Sequence, residues 1–177
     1  GDLGFVPDHA VVDGDVLEGD GLTIECLHTP GHISNHVCFS FAEESTLFSG
    51  DHVMGWSTSV IPAPDGDLND YLANLRRLVG RDEARFRPTH GPAIDDPSSY
   101  VEALVAHREE RERQVLAALA GGPRTIADIV ADLYADVHED LHRAAGASVH
   151  AHLVALQRVD RVAVEGDPGP EAVWGLA

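Results

Sequence analysis

Three short stretches constrain what this chain can fold into: Leu27-His28-Thr29-Pro30-Gly31-His32, Ser49-Gly50-Asp51-His52 and Pro88-Thr89-His90-Gly91-Pro92. Each sets a metal-competent side chain beside a glycine or proline, directly after a run that reads as a strand. Proline has no N–H to donate and glycine permits positive φ, so each stretch stops its strand. His32, Asp51 and His90 are 19 and 39 residues apart. No local loop spans such intervals, so a site built from them is assembled by the fold, at one edge of a sheet.

The other elements follow from pattern. Residues 1–20 hold short apolar pieces between turns such as Asp13-Gly14-Asp15. Strands are expected at Leu22–Leu27, His36–Phe41 and Thr46–Ser49, the last two as a hairpin around Glu43-Glu44-Ser45. Asp67 to Val79 reads as a helix, capped by Asp67 or Asn69, with Leu68, Tyr71, Leu72, Leu75 and Leu78 on one face. Arg85-Phe86-Arg87 is a short strand that presents His90. Pro97 opens a long helix to Leu119. Its charge run Arg108–Arg113 reads as a solvated face. After Gly121-Gly122-Pro123 the rhythm changes. Thr125 with Asp128 forms a capping-box start, a short helical piece is expected near Glu139–Ala145, and Ser148 is expected to cap a third helix. Strands near Val162–Val164 and Ala172–Trp174 complete a winged-helix pattern. The expected domains are 1–106 and 107–177, in an α+β chain.

Composition narrows the function. The formal net charge is −18, and all 12 basic residues are arginine. Such a surface repels polyanions, which disfavours RNA and DNA. No apolar run is long enough for a bilayer and no leader peptide is visible, so a cytoplasmic protein with no membrane partner is expected. Cys26 and Cys38 lie in apolar runs without metal or redox spacing and read as buried thiols.

Imidazole and carboxylate together suit zinc and similar ions, and a carboxylate can bridge two of them. The three stretches, in this order and at these intervals, resemble the later metal motifs of metallo-β-lactamase-fold hydrolases. The resemblance continues through Gly50-Asp51-His52-Val53-Met54-Gly55, the Ser57-Thr58-Ser59 cluster, His107–Glu112 and Ser148–Leu153. It covers nearly the whole chain and is to the beta-lactamase-like-protein-two type, with its C-terminal winged helix. It implies the C-terminal half of an αββα sandwich followed by a winged helix. It also implies His32 as ligand of a first metal, Asp51 as a bridge, His90 as ligand of a second, and His36 near the open side, either supporting a ligand from behind or touching substrate. The chemistry implied is a dinuclear zinc centre whose metal-bound hydroxide attacks an ester, thioester or phosphodiester, with Asp51 and His36 as catalytic groups.

The family's His-x-His-x-Asp-His motif has no counterpart in these 177 residues. The chain is therefore expected to be the C-terminal portion of a longer hydrolase, inactive alone, and either dimeric or covered by the missing half. A small ester or thioester is the favoured substrate. The competing class is a non-catalytic fragment whose winged helix mediates contacts. Several residues have plainer readings. His28 serves equally as a structural strand-end residue, His52 as an outward neighbour of Asp51, and His107 as a helix-surface or junction residue. Trp56 fits a substrate entrance or the core. Asp65, Asp67 and Asp70 lack the later glutamate of a calcium loop, and a helix cap accounts for them. His138, His142, His150 and His152 fit packing and surface roles.

Overall fold

The computed structural model describes Gly4 and residues 6–177. Its first sheet has five strands in sequential order: β1 Val16–Gly19, β2 Leu22–His28, β3 Val37–Phe41, β4 Thr46–Gly50 and β5 Arg85–Pro88. The first four form an antiparallel meander, with Leu27 opposite Cys38 and Phe39 opposite Phe48. β5 instead lies parallel to β4, pairing Leu47 with Phe86. The crossover is helix α1, Leu68–Leu78. Its N-terminus is capped by the Asp67 carboxylate, which accepts from the N–H groups of Asn69 and Asp70. That is the cap role, and no calcium loop is needed to explain the acids there.

Alternation along the strands decides which face is covered. Leu27, Cys38, Leu47 and Phe86 point to one side and pack against Tyr71, Leu75 and Leu78 of α1 and Val101 and Leu104 of α2, Pro97–Leu119. The opposite face is apolar and open. Phe41 and Phe48 pack on each other there with ring centroids 4.8 Å apart, while Phe48, Leu17 and Leu22 stay exposed. Both cysteines are free and buried. Burial pushes the Cys38 thiol up to about 12.

Helix α2 runs unbroken through the expected boundary at 106/107. Its first half completes the core just described. Its second half gives Val115 and Leu119 to a second core with Ile129, Val149, Leu153, Leu156 and Trp174. That core belongs to a winged helix: β6 Arg124–Thr125, α3 Ile126–Leu133, α4 His142–Gln157, β7 Val162–Glu165 and β8 Val173–Leu176, with strand order β6-β8-β7. The Thr125–Asp128 capping box is complete in both directions.

Two local expectations are corrected. The helical piece near 139–145 is a single 3-10 turn, Glu139–Leu141, that leads straight into α4, so Ser148 lies inside that helix and caps nothing. Gly146 costs the helix about 1 kcal/mol. The buried run Ala145, Val149, His152, Leu153 and Leu156 keeps helical spacing across it and outweighs that cost. The charge run on α2 is likewise not wholly solvated: Arg108 is only 3% exposed. No helix among the described residues is long and apolar enough to cross a membrane.

Candidate metal centre

Strand direction brings the three stretches together. β2, β4 and β5 all run the same way, β2 because it is two antiparallel steps from β4 and β5 because it is parallel to β4. Their C-terminal ends therefore share one edge of the sheet, and the residues just beyond them meet.

Each loop is held from behind. The 28–36 loop lies against α1, with Asp67 N–H donating to the Gly31 carbonyl (2.8 Å) and Asn74 Nδ2 to the Pro30 carbonyl (3.0 Å). Gly31 has φ +139°, and a Cβ there would sit 2.3 Å from Tyr71 Cα, so the loop can approach the helix this closely only with glycine. His28 is structural. Its N–H donates to Asp13, and its ring nitrogen Nε2 pairs with the Ser34 carbonyl. On the other side Gly55 N–H donates to the His90 carbonyl at 2.9 Å.

Asp51 is the centre of the arrangement. Its Oδ2 lies 3.7 Å from His32 Nε2 and its Oδ1 3.6 Å from His90 Nε2. One carboxylate oxygen thus faces each imidazole, and both separations exceed a hydrogen bond. Two donors on one tetrahedral zinc, each about 2.0–2.2 Å from it, stand about 3.4 Å apart. Oδ1 is also buried without a hydrogen-bond partner, a cost that a cation beside it removes. His32 donates from Nδ1 to the Val60 carbonyl (2.6 Å), which leaves the Nε2 lone pair facing Asp51. The donor set fits a divalent ion in part. Among the described residues no three such side chains converge on one point. They form two pairs that share Asp51.

His36 is not at the open side. It is buried behind Asp51, whose backbone N–H donates to Nε2 at 3.2 Å, and its Nδ1 lies 2.8 Å from Thr29 Oγ1. With Nε2 accepting, the proton sits on Nδ1 and the ring is neutral. Burial first, then the nearby His32, push its pKa down to about 4. Gly50, at φ +55°, passes so close that a Cβ would lie 2.5 Å from His36 Nε2. His36 therefore positions the Asp51 backbone and has no free nitrogen to offer a substrate. His52 is also placed otherwise than expected. It is fully buried, packed on the Tyr71 ring at 4.8 Å, and burial pushes it down to about 3. Residue 52 turns inward because the chain reverses at Gly50–Asp51, where His52 N–H donates to the Ser49 carbonyl.

Two further participants come from the loop after β4, one from the Ser57-Thr58-Ser59 cluster and the other Trp56. Ser59 donates from Oγ to the carbonyl of Asp51 (2.5 Å) and also contacts that of His52. Its own carbonyl accepts from the buried Arg108 guanidinium. Trp56 is 72% exposed and stacks near-parallel on His90, with centroids 6.4 Å apart and planes 21° apart. It stands at the rim and not in the core.

A five-stranded sheet with both helices on one face, a carboxylate between two imidazoles at the strand ends, and a winged helix beyond define a metal-hydrolase type of architecture. The chain belongs to the metallo-beta-lactamase superfamily, whose model matches residues 1–90. A second model, the beta-lactamase associated winged helix domain, matches residues 125–174. A beta-lactamase-like protein 2 homolog of Caenorhabditis elegans is 37% identical over 111 residues, 63% of this chain and 36% of that protein. The atrochrysone carboxyl ACP thioesterase AgnL7 of Paecilomyces divaricatus is 37% identical over 116 residues, 64% of this chain and 36% of that one. The crystal structure of a metallo-beta-lactamase family protein from Thermus thermophilus superposes with TM-score 0.78 at 29% identity, covering 94% of this chain and 54% of that one. The chain thus spans about a third of the length of the curated relatives and about half of that structure.

Proposed function

We propose that this chain forms part of the catalytic centre of a dinuclear zinc hydrolase acting on a small thioester or ester. The observation that carries the reading is the Asp51 carboxylate, one oxygen toward His32 Nε2 and the other toward His90 Nε2. A carboxylate so placed fits the role of bridge between two ions, with one imidazole for each. When bound, such ions supply a water that ionises near neutral pH and a Lewis acid for the carbonyl. This chain's residues supply the rest. His32 is oriented by the Val60 carbonyl, and Asp51 is held at its backbone by His36 and Ser59. The exposed face of Trp56 offers an apolar wall beside His90. The −18 charge favours a small substrate over RNA, and a relative named as a carrier-protein thioesterase points the same way.

The test is metal content and thioesterase activity, measured on this chain and on the longest chain that carries it. About two zinc ions per chain in the longer form, with hydrolysis of an acyl thioester that Asp51→Asn removes, supports the reading. A longer form that takes up no metal makes the domain a non-catalytic interaction module.

A further inference from the structure

On the far side of the 57–61 segment from His32 and Asp51 lies a cavity of about 350 Å³. Ser57, Thr58 and Ser59 line it from one domain, Arg108 from α2, and Ala144 and Ser148 from α4. A second hollow of about 300 Å³ adjoins it, sharing Thr58, Leu141, Ala144 and Ser148 and adding His107, Arg111 and Tyr134. The chain has 30 acidic residues against 12 arginines, yet among the described residues no Asp or Glu lines either hollow.

Eight of the ten other arginines, Arg76 and Arg81 among them, are in an ion pair with a carboxylate. Among the described residues, the two arginines at the hollows are not. Arg108 is 3% exposed and has no carboxylate at ion-pair distance among the described residues. It reaches the Ser59 carbonyl, the Ser148 hydroxyl at 3.5 Å and the Tyr71 side chain, and its Nε has no partner. Arg111, one turn along α2, lies over the Tyr134 ring at 4.3 Å. Burying a guanidinium without a counter-charge is costly. Guanidinium forks with hydroxyls around them are the chemistry that binds phosphate oxygens.

We infer that the joined hollows bind the phosphate group of a small organic phosphate monoester. Arg108 and Arg111 supply the charge and Ser148 and Thr58 the hydroxyl contacts, while Leu141, Ala144 and Ile61 line the space for the organic body. The site is independent of the metal reading. It backs onto that centre, because Ser59 and Val60 face the cavity and also hold Asp51 and His32.

Isothermal titration calorimetry on chelator-treated protein tests this without any contribution from bound metal. The probes are inorganic phosphate and phenyl phosphate, each against sodium chloride of matched ionic strength. Saturable binding of phenyl phosphate at least several-fold tighter than inorganic phosphate is expected. Equal affinities would reassign the site to free phosphate and overturn the organic ligand. Ser148→Ala is expected to weaken binding about tenfold, the worth of one hydrogen bond to a charged group. Ala144→Glu, a change on an exposed helix position, is expected to abolish it by placing a carboxylate at the arginines. No saturable heat from either probe, or affinities unchanged in both variants, would overturn the proposal.

Discussion

The Ser59 hydroxyl donates to the main-chain carbonyl of Asp51 at 2.5 Å. A residue eight positions away thereby fixes the peptide that carries the central carboxylate, while the His36 ring fixes the same residue from its N–H. Asp51 is held by both ends of its backbone and its side chain is left free to face the two imidazoles.

Ser59→Ala should therefore loosen the site without removing any metal-facing atom. Outer partners of a metal ligand are typically worth about 10–100-fold in metal affinity. A loss of that size, read by competition with a chromophoric chelator, is expected with an unchanged far-UV spectrum. Affinity equal to wild type would show that the hydroxyl does not set Asp51.

Gly31→Ala should be among the most damaging single changes in the first domain. The new Cβ would lie 2.3 Å from Tyr71 Cα, at a φ of +139° that side chains rarely adopt. A loss of several kcal/mol is expected, about 2 or more, because main-chain atoms cannot give way as side chains do. Urea denaturation measures it, and a midpoint within error of wild type would contradict the packing of the 28–36 loop on α1.

Acid should unfold the metal-free chain early. His36 is pushed down to about 4, His52 to about 3 and His152 to about 3, in each case first by burial. Their unfolded values are near 6.5, so below that pH the unfolded chain binds protons that the folded chain does not. Stability then falls as pH drops from about 6.5 toward 3–4, by roughly 1–4 kcal/mol per pH unit with three histidines contributing. Denaturation midpoints at about pH 7.5, 6.0 and 5.0 should fall steadily. A flat profile would mean that these rings are not buried and neutral.

The two thiols should be silent in the native state. Cys26 and Cys38 have no exposed surface, and burial pushes both upward, Cys38 to about 12. Ellman's reagent is expected to label neither within minutes under native conditions and both in urea. Fast native labelling would place β2 or β3 at a mobile edge.

Much of this arrangement was legible from residue order. Strand ends could be read from Thr29-Pro30-Gly31, Gly50 and Pro88 because proline and glycine act locally, and the Thr125–Asp128 cap is equally local. That His32, Asp51 and His90 share a sheet edge followed from a strand before each. What failed was whatever depends on partners distant in sequence. His36 and His52 differ little in their neighbours along the chain, and their burial comes from contacts the order of residues does not show, His36 against Thr29 and Gly50 and His52 against Tyr71 of α1. Arg108 sits in a run of charges and resembles its exposed neighbours until Ser59 and Ser148 close over it. β6 has two residues, too few to show any period. Ser148 has the composition of a cap, but continuous burial on both sides of Gly146 kept the helix going.

The passage of α2 from one core to the other ties the two domains together by rotational phase. Leu104 and Val115 sit on one rod and face different cores. One residue inserted between them would turn everything downstream by about 100°. Arg108 or Val115 would then lose its seat. An insertion of about seven residues nearly restores the angle but moves the winged helix about 10 Å along the axis, beyond the reach of the Ser59 and Ser148 contacts. Length variation between relatives is therefore expected to be excluded from this middle stretch of α2 and to collect in the turns, such as Gly166–Gly169, where no such phase is kept.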